Sequence, residues 1–445
     1  MLFVKNILKH ILPRPAWERF RDKWKHYLQP LNVDYCPVRL PWFASTRRAD
    51  EIGELHQLAM SFNWLNERSV LTTICVAVGA ICWPFQFLIA CGKVFHRFSG
   101  YVKRTYQISR LTQFCGLIRL GVGSNVPPLY YYKFRLFKPE KAVNASAFIF
   151  AEEMAMLHAM LMNKLPPETP LSRKELFFEH ALLYGLPTTN TIATFVDGNV
   201  LKWYGTREHS LPACDLVIKP VDEGSGYGFE LWSYNDESLT WRRGEKVLDA
   251  AAFIQHCCSL TTQGHMHILQ QRLVNHSMLL PISGRGLSTI RIVTYRTVDG
   301  NVGVIVACLR MATGASHVDN FEVGGIAAPV DLATGVLGVA VAKDIRCGTF
   351  THHPDTHGQI EGLTLPYFAE ALDLTQRAQS CFPWVPFVGW DVVITDNGPL
   401  LLEANPYFGI ELPQIVIGQP LGLTQFPAIY LQHIAAQKHL LKDKV

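Results

Sequence analysis

Charge is scarce in this sequence. Only 18% of its 445 residues are Asp, Glu, Lys or Arg, while 49% are hydrophobic. That balance excludes a mostly disordered chain. The formal charge of +4 is small for this length, so a nucleic-acid partner is not expected. No C-x-x-C pair occurs among the eleven scattered cysteines. An odd count in a long chain argues against a disulfide framework and a structural zinc site, and a reducing cytosol fits best. There is no G-x-x-x-x-G-K-[ST] P-loop and no G-x-S-x-G nucleophile elbow, which removes two common enzyme classes. Internal repeats, low-complexity stretches and an evident signal peptide are also lacking.

The charge that is present is unevenly placed. Residues 1–48 hold ten Lys or Arg against three Asp or Glu, so an anionic membrane surface is the expected partner of this segment. Met1 to Pro15 spaces Leu2, Phe3, Ile7, Leu8, Ile11 and Leu12 as an amphipathic basic helix would. Ser69 to Gly92 then carries no charge at all. Its core, 70–91, is long enough to cross a bilayer, which needs about 20 apolar residues. Pro84 and Gln86 interrupt it, and the basic residues on both sides give conflicting orientations. A spanning helix, a helix in the interface and a buried hairpin all remain open.

Four segments follow. Residues 1–68 form a basic amphipathic segment, and 69–165 a helical region containing the uncharged stretch. Residues 166–270 form one α+β lobe with a glycine-rich loop, and 271–445 a second. Strands are expected at Thr191–Phe195, Leu216–Lys219, His267–Gln271, Thr289–Tyr295, Val302–Leu309, Val388–Thr395 and Pro399–Glu403. Asp-Gly-Asn and Asp-Asn-Gly turns join several as antiparallel hairpins. Helices are expected at Arg173–Leu183, Ala250–His256 and Tyr367–Cys381. The fold class is α+β.

The chemistry concentrates in a few places. Gly389-Trp390-Asp391 opens one strand of a hairpin, and Glu403-Ala404-Asn405 closes the other. Glu403 and Asn405 lie two apart and share a face. Asp391, Glu403 and Asn405 together offer oxygen ligands of the kind Mg²⁺ prefers; the bland alternative is a solvated surface hairpin. Lys219 ends the apolar strand Leu216–Lys219, just before Gly224, Ser225 and Gly226. A lysine and a glycine loop there suit nucleotide phosphates. Gln271 and Leu273 lie in a connector able to meet an adenine edge, or in an ordinary core strand. Arg291 and Arg310 sit on apolar strands and need an anion, either a transferring phosphoryl group or a structural carboxylate. Lys174, at a helix start, is a second phosphate candidate. His353 and Asp355 read as loop-structuring.

In order, these elements resemble an ATP-grasp protein. More narrowly, Leu287–Thr294, Val318-Asp319-Asn320-Phe321, Gly324-Gly325-Ile326-Ala327, Val330–Gly335, His353–Thr356 and Gly389-Trp390-Asp391 resemble the sugar-transfer associated ATP-grasp family over roughly residues 100–420. The resemblance implies an ATP-grasp fold of two α+β lobes clasping ATP, here preceded by a mostly helical region. It implies an ADP-forming carboxylate–amine ligase acting on small, in part sugar-linked, substrates in polysaccharide biosynthesis. ATP and two Mg²⁺ ions would be the cofactors, with Mn²⁺ a substitute. Asp391, Glu403 and Asn405 would hold the metal, Lys174 and Lys219 the phosphates, and Arg291 the γ-phosphate. The expected location is the cytoplasm, at the inner face of the cell membrane. A phosphotransferase on the same fold and a non-catalytic ATP-binding scaffold are the alternatives. Gln271, where many ATP-grasp proteins carry glutamate, leaves the adenine and ribose contacts open.

Overall fold

A computed structural model describes residues 50–66, 70–162, 170–171, 173–204, 210–221, 228–261, 265–284, 286–314 and 319–442. The basic segment 1–48 and the loop residues Gly224, Ser225 and Gly226 lie outside them. The chain forms two compact units. One contains residues 1–163, 344–348 and 409–445; the other contains residues 164–343 and 349–408.

The first unit is helical. Its helices α1 (Glu51–Asn66), α2 (Val70–Tyr106), α3 (Arg110–Gly123), α4 (Pro128–Lys133) and α5 (Ala151–Met162) are joined by C-terminal helices Glu411–Ile417 and Phe426–Lys442. On α2, Phe87, Cys91, Val94, Phe98 and Val102 form one buried stripe at the spacing of a helical face. Ser109 starts α3 by accepting the Thr112 amide at 3.0 Å, an ordinary N-cap. Glu153 accepts the Phe150 amide at 3.0 Å at the head of α5, and its other oxygen meets His56 Nδ1 of α1 at 2.6 Å. Ala145–Met162 is long and apolar enough to cross a membrane. Half of it is buried, however, with Met154, Leu157 and Leu161 inside, and Tyr430 Oη donates to the Leu157 carbonyl at 2.6 Å.

The second unit holds two seven-stranded antiparallel sheets. In the first, β1 (Thr191–Val196), β2 (Asn199–Trp203), β3 (Leu216–Pro220), β4 (Glu230–Asn235), β5 (Thr240–Arg243), β6 (Lys246–Leu248) and β7 (His267–Gln271) run in the order β2-β1-β7-β3-β4-β5-β6. Trp232, Trp241, Phe253, Phe195 and Ile192 form its core. The second sheet contains β8 (Thr289–Arg296), β9 (Val302–Met311), β10 (Ile326–Pro329), β11 (Ala340–Ala342), β12 (Thr349–Phe350), β13 (Phe387–Thr395) and β14 (Gly398–Asn405) in the order β12-β11-β10-β9-β8-β13-β14. Helices α6 (Lys174–Leu183), α7 (Ala250–Ser259) and α8 (Phe368–Ser380) complete the unit. The seven strands expected from sequence are all present. β2, β4–β6 and β10–β12 are additional, being short or partly exposed.

One face of the second sheet is covered by α8. There Gln379 Oε1 accepts the Thr294 hydroxyl at 2.7 Å, and Trp390 Nε1 donates to Thr294 Oγ1 at 2.7 Å. Since side chains alternate along a strand, Asp391 and Arg291 fall on the opposite face. The segment after α6 is tied to β14, where Leu401 N donates to the Pro187 carbonyl at 2.9 Å and Thr188 Oγ1 to the Leu401 carbonyl at 2.7 Å.

In the helical unit Gln414 is fully buried. Its Oε1 accepts the Ile149 and Leu421 amides at 3.1 and 3.2 Å, while Nε2 donates to the Ile149 carbonyl at 2.6 Å. Gln414→Leu keeps the volume and strands those backbone groups. It is expected to cost about 2–4 kcal/mol, read as a lower urea midpoint with an unchanged m-value.

Candidate functional site

The site begins with strand register. Cys308 of β9 pairs with Arg291 of β8, Arg291 with Asp391 of β13, and Asp391 with Glu403 of β14. Directly opposed residues share a face, so these four form a row across the sheet. Two residues along in one direction lie Thr289 and Arg310, themselves a pair. Two residues along in the other lie Gly389 and Asn405, also a pair.

Asp391 is the hub. Arg291 grips its carboxylate from Nε to Oδ1 at 2.6 Å and from Nη2 to Oδ2 at 3.1 Å. Arg310 Nη2 stands 3.0 Å from Oδ2, and Asn405 Nδ2 donates to Oδ2 at 3.4 Å. These contacts use the roughly four acceptor sites of a carboxylate. Burial alone would raise the Asp391 carboxyl, but Arg291 and Arg310 outweigh it and hold the group below its ordinary value. Arg291 uses its remaining Nη1 on the Phe408 carbonyl at 2.8 Å.

A second carboxylate completes the network. Arg310 donates to Thr289 Oγ1 from Nη2 at 2.6 Å and from Nε at 3.1 Å. The Thr289 hydroxyl in turn donates to Asp319 in a short hydrogen bond. Asp319 Oδ1 also lies 3.5 Å from Arg310. Burial raises the Asp319 carboxyl above its ordinary value, and Arg310 and Thr289 offset only part of that. Arg310 itself is pushed down by burial and pulled further up by Asp319, Asp391 and Glu403, so it stays charged. Burial drives the Cys308 thiol up to about 12, which makes it inert.

The two sheets meet electrostatically at Lys219. It is the penultimate residue of β3, half-buried, and burial pushes its ammonium down to about 8; Glu403 pulls the other way and Lys174 adds to the depression. Folded and unfolded chains therefore differ in proton affinity. Below about 8 the folded chain bears the cost of a desolvated ammonium. Stability contributed by this group rises with pH from about 8 to the ordinary value of 10.5, because over that window the unfolded chain binds the extra proton. Lys174 Nζ donates to the Val221 carbonyl at 2.8 Å, so it lies along the same segment.

Gly389 makes the row possible. A Cβ there would fall 2.5 Å from Phe408 Cβ and 3.0 Å from Arg291 Cδ, so any larger residue would force Phe408 aside and crowd the arginine. In the loops, His353 is fully buried. Its Nε2 meets the Ala312 carbonyl at 2.8 Å, and its Nδ1 receives the Asp355 and Thr356 amides at 3.3 Å. Asp355 accepts the Gly314 amide at 2.6 Å. Gln271 and Leu273 stand where β7 runs out, both half-buried, with Gln271 N bonded to the Asn190 carbonyl at 3.0 Å.

The structure thus brings Arg291, Arg310, Asp391, Glu403, Asn405, Lys174 and Lys219 into one connected electrostatic set. Sequence reasoning missed Thr289 as a relay. The available signal was Thr289 at two residues before Arg291, on the same strand face. Among the described residues no group of three His, Cys, Asp or Glu side chains is positioned to hold a metal ion. The local donors are two carboxylates and a carboxamide. Those oxygens are of the kind a hard divalent cation takes, with the Asp391 acceptor sites filled in this structure by Arg291, Arg310 and Asn405.

Comparisons with known proteins supply a family. The family model described as sugar-transfer associated ATP-grasp matches residues 159–426. No curated protein matches the chain. An L-amino acid ligase from Bacillus licheniformis is similar at 14% identity, covering 63% of this chain and 53% of its own, with a TM-score of 0.33. This chain therefore spans about half the length of that ligase. A D-alanine–D-alanine ligase from Bacillus anthracis is similar at 12% identity, covering 62% of this chain and 69% of its own, with a TM-score of 0.29. The fold assignment rests on the family match and on the two antiparallel sheets.

Asp391→Asn removes the counter-charge of two buried arginines. It is expected to destabilise the fold by about 3–5 kcal/mol, measured by denaturant unfolding. Leu182→Ser, on the exposed part of α6, should stay within about 0.5 kcal/mol as a control.

Proposed function

The chain belongs to the sugar-transfer associated ATP-grasp family, and from that premise we propose that it is an ATP-dependent, ADP-forming carboxylate–amine ligase. The observation that carries this reading is the gathering of Arg291, Arg310 and Asn405 on Asp391, in register with Glu403, whose charge is felt by Lys219 of the first sheet. Cations from both sheets gather around a carboxylate pair, which suits a polyphosphate with its counter-ions.

In this mechanism Lys174, Lys219 and the glycine loop at Gly224, Ser225 and Gly226 bind the phosphates. Gln271 and Leu273 line the adenine side. Asp391, Glu403 and Asn405 would hold Mg²⁺, which would supply charge neutralisation to the transferring phosphoryl group. Arg291 and Arg310 lie on Asp391 in the free protein. On ATP binding they redirect donors to the γ-phosphate, and Asp391 lone pairs are released. A substrate carboxylate oxygen then attacks the γ-phosphorus, and the bond to the bridging oxygen of ADP breaks. The amine attacks the acyl phosphate carbon, phosphate leaves, and the amine proton passes to solvent. The family description favours a sugar-linked substrate in polysaccharide biosynthesis.

Purified protein incubated with ATP and candidate carboxylate–amine pairs is expected to release ADP and phosphate with an amide product. AMP as the product would overturn the reading, and a stable phosphorylated product without an amide would assign phosphotransfer instead. Glu403→Ala is expected to abolish Mg-ATP binding and lower turnover by about 10³-fold or more.

A pH titration gives an independent check. Lys219, with its ammonium held at about 8 by burial, loses its charge as pH rises past that value. Mg-ATP affinity of the free protein is therefore expected to weaken above about pH 8, and Lys219→Arg should flatten the dependence. Calorimetric titration across pH 7 to 9.5 (roughly the window in which this lysine changes charge) measures both.

A further inference from the structure

Away from the catalytic row, the helical unit carries apolar surface that no described residue covers. On α3 the buried face is already complete, with Gln113, Leu117, Leu120 and Gly121 inside. A second stripe runs along the other side through Leu111, Cys115, Ile118 and Val122, at helical spacing. Leu111 is 73% exposed, and Val122 and the neighbouring Phe114 are exposed as well. An amphipathic helix of a globular protein has one apolar face; α3 has two.

Helix α2 repeats the pattern. Phe87, Val94 and Phe98 are buried, yet Phe85 is 72% exposed, and Leu88 and Ile89 are exposed beside it. The stripes on α2 and α3 are joined where Phe95 and Phe114 meet edge to face at 5.6 Å. The Arg110 guanidinium sits 5.3 Å over the Phe95 ring. Scattered surface leucines need no explanation, but a contiguous apolar face on adjoining helices marks an interaction surface.

Charge identifies the occupant. From Ser69 to Pro139 the sequence has no Asp or Glu and nine Lys or Arg. Lys103, Arg104 and Arg119 are exposed on the two helices that carry the stripes. A face that is apolar and rimmed by cations, on a run with no acid of its own and with Asp344 paired to Arg97 of α2 at 3.7 Å, complements an anionic lipid surface. Residues 1–48 are themselves basic, so repulsion disfavours that segment as the cover.

We propose that the α2–α3 face docks on an anionic bilayer. Phe85, Leu88 and Leu111 enter the headgroup–acyl boundary, and Lys103, Arg104 and Arg119 pair with lipid phosphates. The helices lie along the surface at this face. The assignment is independent of the ligase reading and survives if the chain proves to be a phosphotransferase.

Sedimentation of the full chain with vesicles tests it. Wild-type protein is expected to bind phosphatidylcholine–phosphatidylglycerol vesicles and to remain in solution with phosphatidylcholine alone. The triple variant Phe85→Ser, Leu88→Ser, Leu111→Ser changes only exposed side chains and is expected to lose about tenfold or more in partitioning. Lys103→Glu, Arg104→Glu, Arg119→Glu should lose a similar factor. ATP binding measured in solution should be unchanged in both. Absence of binding by the wild type, equal binding to both vesicle types, or undiminished binding by both triple variants (which would assign the contact to another segment) overturns the proposal. So does a wild-type dimer in gel filtration that the serine variant abolishes while vesicle binding persists, since the face would then join two copies of the chain.

Discussion

The whole arrangement depends on the pairing of Asp391 with two arginines inside a sheet. A lone carboxylate at 3% exposure would be protonated, and a lone arginine there would be expelled or hydrated. Paired, they remain ionised, because each carboxylate faces guanidinium donors at hydrogen-bond distance. Such a pair is a poor source of net stability, since desolvation consumes most of the attraction. Its persistence in an otherwise apolar strand therefore points to a use for the charge. In the proposed ligase, two guanidinium groups prepositioned on one carboxylate would exchange it for phosphate oxygens as a cation took their place at Asp391.

Pleat geometry turns that pairing into a surface. β13 is buried on both faces, so hydropathy alone does not say which side carries chemistry. The alternation does: Trp390 with Thr294 locks against α8, and Asp391 with Arg291 is thereby forced to the opposite face. Antiparallel register then extends the charged row to Glu403 on one side and Cys308 on the other. Gly389 keeps space beside Arg291, and the Phe408 carbonyl fixes the guanidinium plane. Positioning thus comes from rigid strands, while Lys219 and Lys174, proposed to take the phosphates, come from a strand end and a helix start, where side chains can adjust.

Much of this was legible in the sequence because it is periodic. Asp391, Glu403 and Asn405 share a face by the two-residue period of a strand and by the hairpin turn at Asp396-Asn397-Gly398, and Gly398 indeed takes a positive φ of 109°. Lys219 was legible as a charge closing an apolar run just before a glycine-rich loop. What was hidden is tertiary. Nothing local in Thr289 announces that its hydroxyl links Arg310 to Asp319, 30 residues on, since a threonine in a strand is ordinary β-propensity. Strands β4, β5 and β6 were invisible for another reason: they are short and exposed at one sheet edge, and Lys246, Arg242 and Arg243 break the apolar alternation. The sequence also suggested Asp391 as a bare metal ligand, whereas in the folded chain it is first a counter-ion to two arginines.

The uncharged stretch at 69–92 shows the limit of composition as a guide. Its sequence is equally compatible with a span, an interfacial helix or a core helix, because hydropathy counts residues without asking which way they face. Folding separates them. From Trp83 onward one side of α2 is consumed by the core, through Phe87, Val94 and Phe98, and a helix so engaged cannot be surrounded by lipid. The other side remains apolar at Phe85, Leu88 and Ile89. A helix with one face in protein and one apolar face outside is neither a soluble core helix nor a free-standing span. The acid-free run to Pro139 leaves the rest of the chain acidic on balance, since the total is only +4. Positive charge is thus concentrated in residues 1–48 and again along the acid-free run whose helices carry the exposed apolar stripes. Segregation of that kind has no role in holding a core together, because like charges repel; it is useful where an external anionic surface supplies the counter-charge.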